Sequence, residues 1–188
     1  NAFDSGAADC TTPIGSTACS NFASSGLSGT ATLVPSGSCL MAVAGSTHGY
    51  TPAITNTNGP CFVSPTGTIL LDLGGIPVPL QDAQLAATFV GNPASNLVNG
   101  LMKGFLRQSD ADVTLVPATF PLIGGQPISS LLPGGDPPGA NNTNCAPHSD
   151  LDVHNGEFGW WFYLNFTAPR VTLGNDPFGA GFADGFED

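Results

Sequence analysis

The chain has 188 residues, of which 3 are Lys or Arg and 14 are Asp or Glu, for a formal net charge of −11. Charged residues make up 9% of it, far below the roughly 25% of an ordinary soluble domain. Lys103, Arg107 and Arg170 are the three cations, and they form no basic cluster of the kind that nucleic acid or an anionic membrane surface requires, so both partners are excluded. The hydrophobic fraction of 41% is enough for a core, which argues against disorder driven by charge.

No stretch approaches 18 consecutive apolar residues, so no membrane-spanning segment is expected. The sequence begins at Asn1 without an initiator Met. It reads as a mature protein whose signal peptide has been removed, and its expected location is extracellular or at the cell surface. A surface this poor in charge must be covered with Ser, Thr, Asn, Gly and Pro. Five cysteines are present, Cys10, Cys19, Cys39, Cys61 and Cys145, and none forms a CxxC motif. In a secreted chain this reads as two disulfides holding a loop-rich N-terminal region. The expected pairing is Cys10–Cys19 and Cys39–Cys61. Cys145 is then a buried free thiol or a bridge to another subunit; its pairing with one of the N-terminal four is equally allowed.

Residues 1–30 read as an extended arm, residues 31–174 as a β-sandwich domain and residues 175–188 as a Phe/Gly tail. Ala31 to Val34 and Cys39 to Ala44 are expected strands, with turn chemistry at Pro35-Ser36-Gly37-Ser38 between them. A polar loop with His48 follows. Thr66 to Leu73 is an expected strand that ends at Gly74-Gly75. Pro77 and Pro79 confine the next segment, 76–80, to a sheet edge or a loop. The segment from Gln84 to Val90 is ambiguous.

Asn96 to Gln108 places Leu97, Val98, Leu101, Met102, Phe105 and Leu106 at helical spacing, which predicts one amphipathic helix. Its Gly100 and Gly104 weaken a helix but allow close backbone approach. Lys103 and Arg107 suit the C-terminal half of such a helix. Asp112 to Leu115 reads as a strand and 117–147 as a Pro- and Gly-rich loop. From His148 to His154 polar and apolar residues alternate, Asn155-Gly156 matches a type I′ turn, and Phe158 to Thr167 is dense in aromatic strand formers. This predicts a hairpin over 148–167. Arg170 to Leu173 is a further candidate strand. Many short strands with one helix argue an all-β antiparallel sandwich, of jelly-roll or Ig-like topology.

Few constellations carry chemistry. In a strand His148, Asp150, Asp152 and His154 share one face. Asp and His together suit zinc, and the carboxylates alone suit calcium. The outer two histidines are about 20 Å apart along a straight strand, so only an adjacent pair such as Asp152 with His154 can share an ion without a bend. The bland reading is the polar outer face of a hairpin. Asp110 with Asp112 is a weaker calcium candidate than a solvated turn. One of Trp160 and Trp161 is expected to face outward, to stack on a sugar or bury at a subunit contact, unless both are covered within the domain. Asn141-Asn142-Thr143 is a glycosylation sequon in a loop. No GxSxG, HExxH or P-loop motif occurs, and no catalytic site is expected.

In the tail, Phe178, Phe182 and Phe186 recur every four residues, and Gly179, Gly181, Ala183 and Gly185 occupy the alternate positions. As a strand this segment carries bulky knobs on one face, which suits addition to a sheet edge. Phe3 in the N-terminal arm is the other candidate. With the low charge and the expected sandwich, the chain resembles extracellular filament or pilus-type subunits, in which an incomplete sheet edge receives a strand from the next subunit. The resemblance implies a secreted structural protein that forms a homo-polymer. The alternative is a monomeric secreted binding module for carbohydrate or calcium.

Overall fold

The computed structural model describes residues 30–47, 50–92, 94–134 and 150–169. The strands are β1 (Thr32–Val34), β2 (Ser38–Leu40), β3 (Thr57–Asn58), β4 (Cys61–Val63), β5 (Gly67–Asp72), β6 (Pro77–Val90), β7 (Asn96–Arg107), β8 (Asp152–His154) and β9 (Glu157–Pro169). Helix α1 (Gln108–Val113) and a 3-10 turn over Ile128–Leu131 lie between β7 and β8. The fold is all-β and sandwich-like. A seven-stranded sheet runs β1-β4-β6-β7-β9-β8, with β5 also paired to β6, and a second sheet holds β2 and β3. Every pairing is antiparallel.

The expected helix over 96–108 is instead strand β7, at the centre of the large sheet. It is hydrogen-bonded to β6 on one side and β9 on the other. The sequence pattern misleads here for a geometric reason. Apolar doublets spaced four apart mimic a helical stripe. In a strand buried on both faces, each doublet sends one residue to each side. Leu101 joins the core with Leu40 and Ala86, and Met102 and Leu106 join the opposite one with Val78, Leu80 and Trp160. Gly104 is needed for close packing: a Cβ there would lie 2.8 Å from the Leu80 Cβ. The true helix, α1, begins where β7 ends. It displaces the strand expected at Asp112–Leu115, of which only a Leu115–Pro127 bridge remains.

The turn signals hold. Gly74 and Gly75 have φ of 67° and 93°, and Asn155 and Gly156 have 53° and 83°, as a two-residue type I′ hairpin requires. The 148–167 hairpin is present as β8 and β9, with a shorter first strand. The prolines of β6 also sit as expected. Leu73 and Ile76 flank the Gly-Gly turn and are hydrogen-bonded, Leu73 N–H to Ile76 C=O at 3.0 Å. By antiparallel alternation Pro77 and Pro79 then turn their nitrogens away from β5. On that side β7 is in register only from Gln81 onward, so neither missing N–H breaks a ladder.

The first two strands, though joined by a short turn, do not pair with each other. β1 pairs with β4, and β2 pairs with β3. The expected Cys39–Cys61 disulfide is formed and ties the small sheet to the large one. Cys10, Cys19 and Cys145, and the expected strand at Arg170–Leu173, lie outside the described residues. Because the bridge closes a 22-residue separation, the double variant Cys39→Ala/Cys61→Ala should lose about 3 kcal/mol by loop entropy. Urea unfolding measures this, and an unchanged midpoint would mean the two sheets hold together without the link.

Both tryptophans are covered, which corrects the expectation of an exposed one. They do point to opposite faces. Trp160 is 2% exposed and belongs to the core under α1 and the 114–133 segment, its indole N–H donating to Pro133 C=O at 2.9 Å. Trp161 is 8% exposed and packs edge to face against Phe105. At this point the sheet therefore has material on both faces.

Candidate functional site

Of the candidate metal ligands, Asp150, Asp152 and His154 are among the described residues. Asp152 accepts a hydrogen bond from the N–H of Val153, and the N–H of Asp150 donates to Pro133 C=O. His148 lies outside the described residues. Among the described residues no three His, Cys, Asp or Glu side chains come together. The Asp110 carboxylate, the other calcium candidate, is held by Arg107, with Nε at 2.8 Å and Nη2 at 3.1 Å.

His154 turns instead toward Asp82, a residue the sequence reading did not single out. His154 Nε2 is 2.8 Å from Asp82 Oδ2, and the Asn155 side-chain amide donates to the same oxygen at 3.0 Å. The imidazole lies 4.6 Å from the Trp161 ring and 5.1 Å from Phe105. It thus reaches from edge strand β8 across β9 and β7 to β6. Asp82 can meet it because the β6–β7 register shifts between Gln81 and Gln84, and Asp82 takes φ 49° there. An extra residue in a strand re-aims its side chain, and Asp tolerates the left-handed region better than most. The sequence signal was the break in apolar alternation at Gln81-Asp82. The His154 imidazole's hydrogen-bond partners among the described residues are a carboxylate and an amide, which makes this arrangement a clasp for the edge hairpin.

The same face carries both tyrosines of the chain. Their rings are 6.4 Å apart, edge to face. The Tyr163 hydroxyl accepts from the N–H of Val43 at 3.0 Å and shares a hydrogen bond with Ser46 Oγ. Burial raises the Tyr50 hydroxyl pKa, helped by the Asp150 charge. Burial also raises that of Tyr163, outweighing the hydrogen bonds from Ser46 and Val43. Both are therefore protonated in the native state past the ordinary value of about 10. A folded pKa raised above the unfolded one contributes stability that is full below the unfolded value. That stability is lost as pH rises through the folded values. Spectrophotometric titration should show no native tyrosinate step at about pH 10, and a normal step in denaturant; a normal native step would contradict the burial.

The third feature is the outer side of β9. Strand β8 covers it only over residues 157–159. From Trp160 to Pro169 its single strand partner among the described residues is β7. In a two-residue hairpin the residues flanking the turn, His154 and Glu157, exchange both backbone bonds, and the pattern alternates from there. Trp161, Tyr163, Asn165 and Thr167 therefore turn their N–H and C=O groups to the open side.

The two faces of this edge differ. On one, the 41–56 segment lies over Tyr163 and Asn165; the Asn165 amide donates to Thr55 C=O at 2.7 Å and accepts from the Thr55 N–H at 2.9 Å. On the other run Phe158, Trp160, Phe162, Leu164 and Phe166, of which Phe158 is 58% and Leu164 50% exposed. No charged side chain occurs from Phe158 to Pro169. Exposed edges are ordinarily blunted by shortness, charge or proline. The strands β1 and β8 are three residues long, and the free side of β6 carries two prolines. The β9 edge has none of these guards before Pro169. The assembly candidates Phe3, Phe178, Phe182 and Phe186, and the sequon at Asn141, lie outside the described residues. Comparison with protein-family models, with curated proteins and with solved structures gives no match.

Proposed function

We propose that the protein is a secreted structural subunit that self-assembles into an extracellular polymer by adding a strand to the outer edge of β9. The observation that carries this reading is the unguarded run from Trp160 to Pro169, with its half-exposed apolar row. Main-chain groups supply affinity in strand addition, and side chains on alternate positions supply register. A repeated contact between different surfaces of identical subunits does not close on itself and generates a filament. The disulfide Cys39–Cys61 is compatible with an oxidising compartment. No helix among the described residues is long and apolar enough to cross a membrane.

Negative-stain microscopy and light scattering on native, unreduced protein test this. Regular polymers are expected for the wild type. Leu164→Lys places a charge on the exposed side of the acceptor row and should shift the population to monomers of 19.0 kDa, with unfolding within about 0.5 kcal/mol of the wild type, as for surface changes generally. Wild-type protein that stays monomeric at high concentration would overturn the assignment. A glycan and calcium screen would then take its place.

A further inference from the structure

We infer that the occupant of the β9 edge is the segment 176–188 of this chain, supplied by a second copy. The inference rests on the assembly reading above and names its donor. The described residues end at Pro169, the last residue of β9, and 19 further residues follow. Gly174-Asn175-Asp176-Pro177 supplies turn residues before an 11-residue run, 178–188. At about 3.3 Å per residue that run spans roughly 36 Å, enough to cover the roughly 33 Å of edge from Trp160 to Pro169.

The two faces of the segment match the two faces of the edge. As a strand, residues 178, 182 and 186 place three phenylalanines on one side, with Ala180 and Asp184 between them. Positions 179, 181, 183 and 185 place Gly, Gly, Ala and Gly on the other. On the β9 edge one face already carries Val43, Ser46 and Thr55, hydrogen-bonded to Tyr163 and Asn165. Small side chains on that face of an added strand suit a position beside them. The opposite face offers Phe158, Phe162, Leu164 and Phe166 as cross-strand neighbours for bulky aromatic groups. A segment with large residues on both sides would not fit, and one with small residues on both sides would leave the apolar row uncovered.

The test uses the full chain with p-benzoylphenylalanine in place of Phe182, and separately in place of Phe3. Each protein is made with natural and with heavy nitrogen, mixed, illuminated and digested. The expected result is a cross-link from position 182 to the 158–169 peptide, joining heavy to light chains. Leu164→Lys should lower its yield at least tenfold. A cross-link from position 182 that falls elsewhere, or one to 158–169 from position 3 alone, overturns the donor assignment, while polymers seen by microscopy would still support the assembly reading. A cross-link from 182 to 158–169 confined to single isotopes in a monomeric protein overturns the supply by a second copy together with the assembly reading.

Discussion

Gly159→Ala should abolish the native fold or cost more than about 4 kcal/mol, the exceptional end of the range for one substitution. Gly159 sits where three strands meet, opposite Arg107 on β7 and Asp152 on β8. A Cβ there would lie 2.1 Å from the carbonyl oxygen of Leu106 and 2.7 Å from Cζ of Phe105. The oxygen belongs to the central strand and cannot rotate away as a side chain can. Relief requires β9 to part from β7, the most extensive pairing in the molecule, with ten residue pairs in register. Far-ultraviolet circular dichroism and urea unfolding measure the outcome. A variant within 1 kcal/mol of wild type, on the usual scale for tolerated sites, would show that the β7–β9 approach is looser than described.

Phe105→Ala is expected to cost about 3–5 kcal/mol, the range for emptying an aromatic core site. Phe105 is 1% exposed and its ring contacts both Trp161, at 5.2 Å, and His154, at 5.1 Å. Deletion leaves a cavity beneath the imidazole and frees the clasp that joins β8 to Asp82. Phe105→Leu retains most of the volume and should cost less than about 1.5 kcal/mol. Tryptophan fluorescence separates loss of packing from global unfolding, because the chain's two tryptophans report on opposite faces of the sheet. In Phe105→Ala the Trp161 side should become more polar while Trp160, held by Pro133, stays native-like under folding conditions. Equal stability of the two Phe105 variants would contradict the packing account.

Local signals survived into the fold wherever one short stretch of backbone decided the outcome. Asn155-Gly156 and Gly74-Gly75 adopt the positive φ that only such residues take readily, so their turns were legible. Pro77 and Pro79 lack a donor, and that deficit alone sent their nitrogens to a free edge. The Cys39–Cys61 bridge is one of several pairings that the cysteine positions allow, and the fold selects it. Elsewhere the same letters admitted two structures. Leu97 to Leu106 fits one face of a helix or both faces of a buried strand, and only the presence of β6 and β9 on either side selects the strand. Asp112 to Leu115 reads as a strand by its local sequence, whereas Arg107 holds Asp110 and the turn closes as α1. Trp160 and Trp161 were placed on opposite faces correctly, but their coverage depends on what crosses each face.

For the candidate sites the division is similar. The carboxylates and histidines of 148–154 were visible, but Asp82 was not, since it lies 72 positions from His154 and meets it through a single-residue register shift. The openness of β9 was equally invisible, because a strand's neighbours are a property of the sheet. By itself the sequence determined the all-β class, the hairpin turns and the poverty of charge, all of which follow from composition and from contacts a few residues apart. Only the tertiary structure decided which strand is central, which aromatic is covered and which stretch of β9 has β7 as its single strand partner among the described residues. These depend on contacts between residues far apart in the chain, where local propensity is too weak to choose between burial on one face and on two.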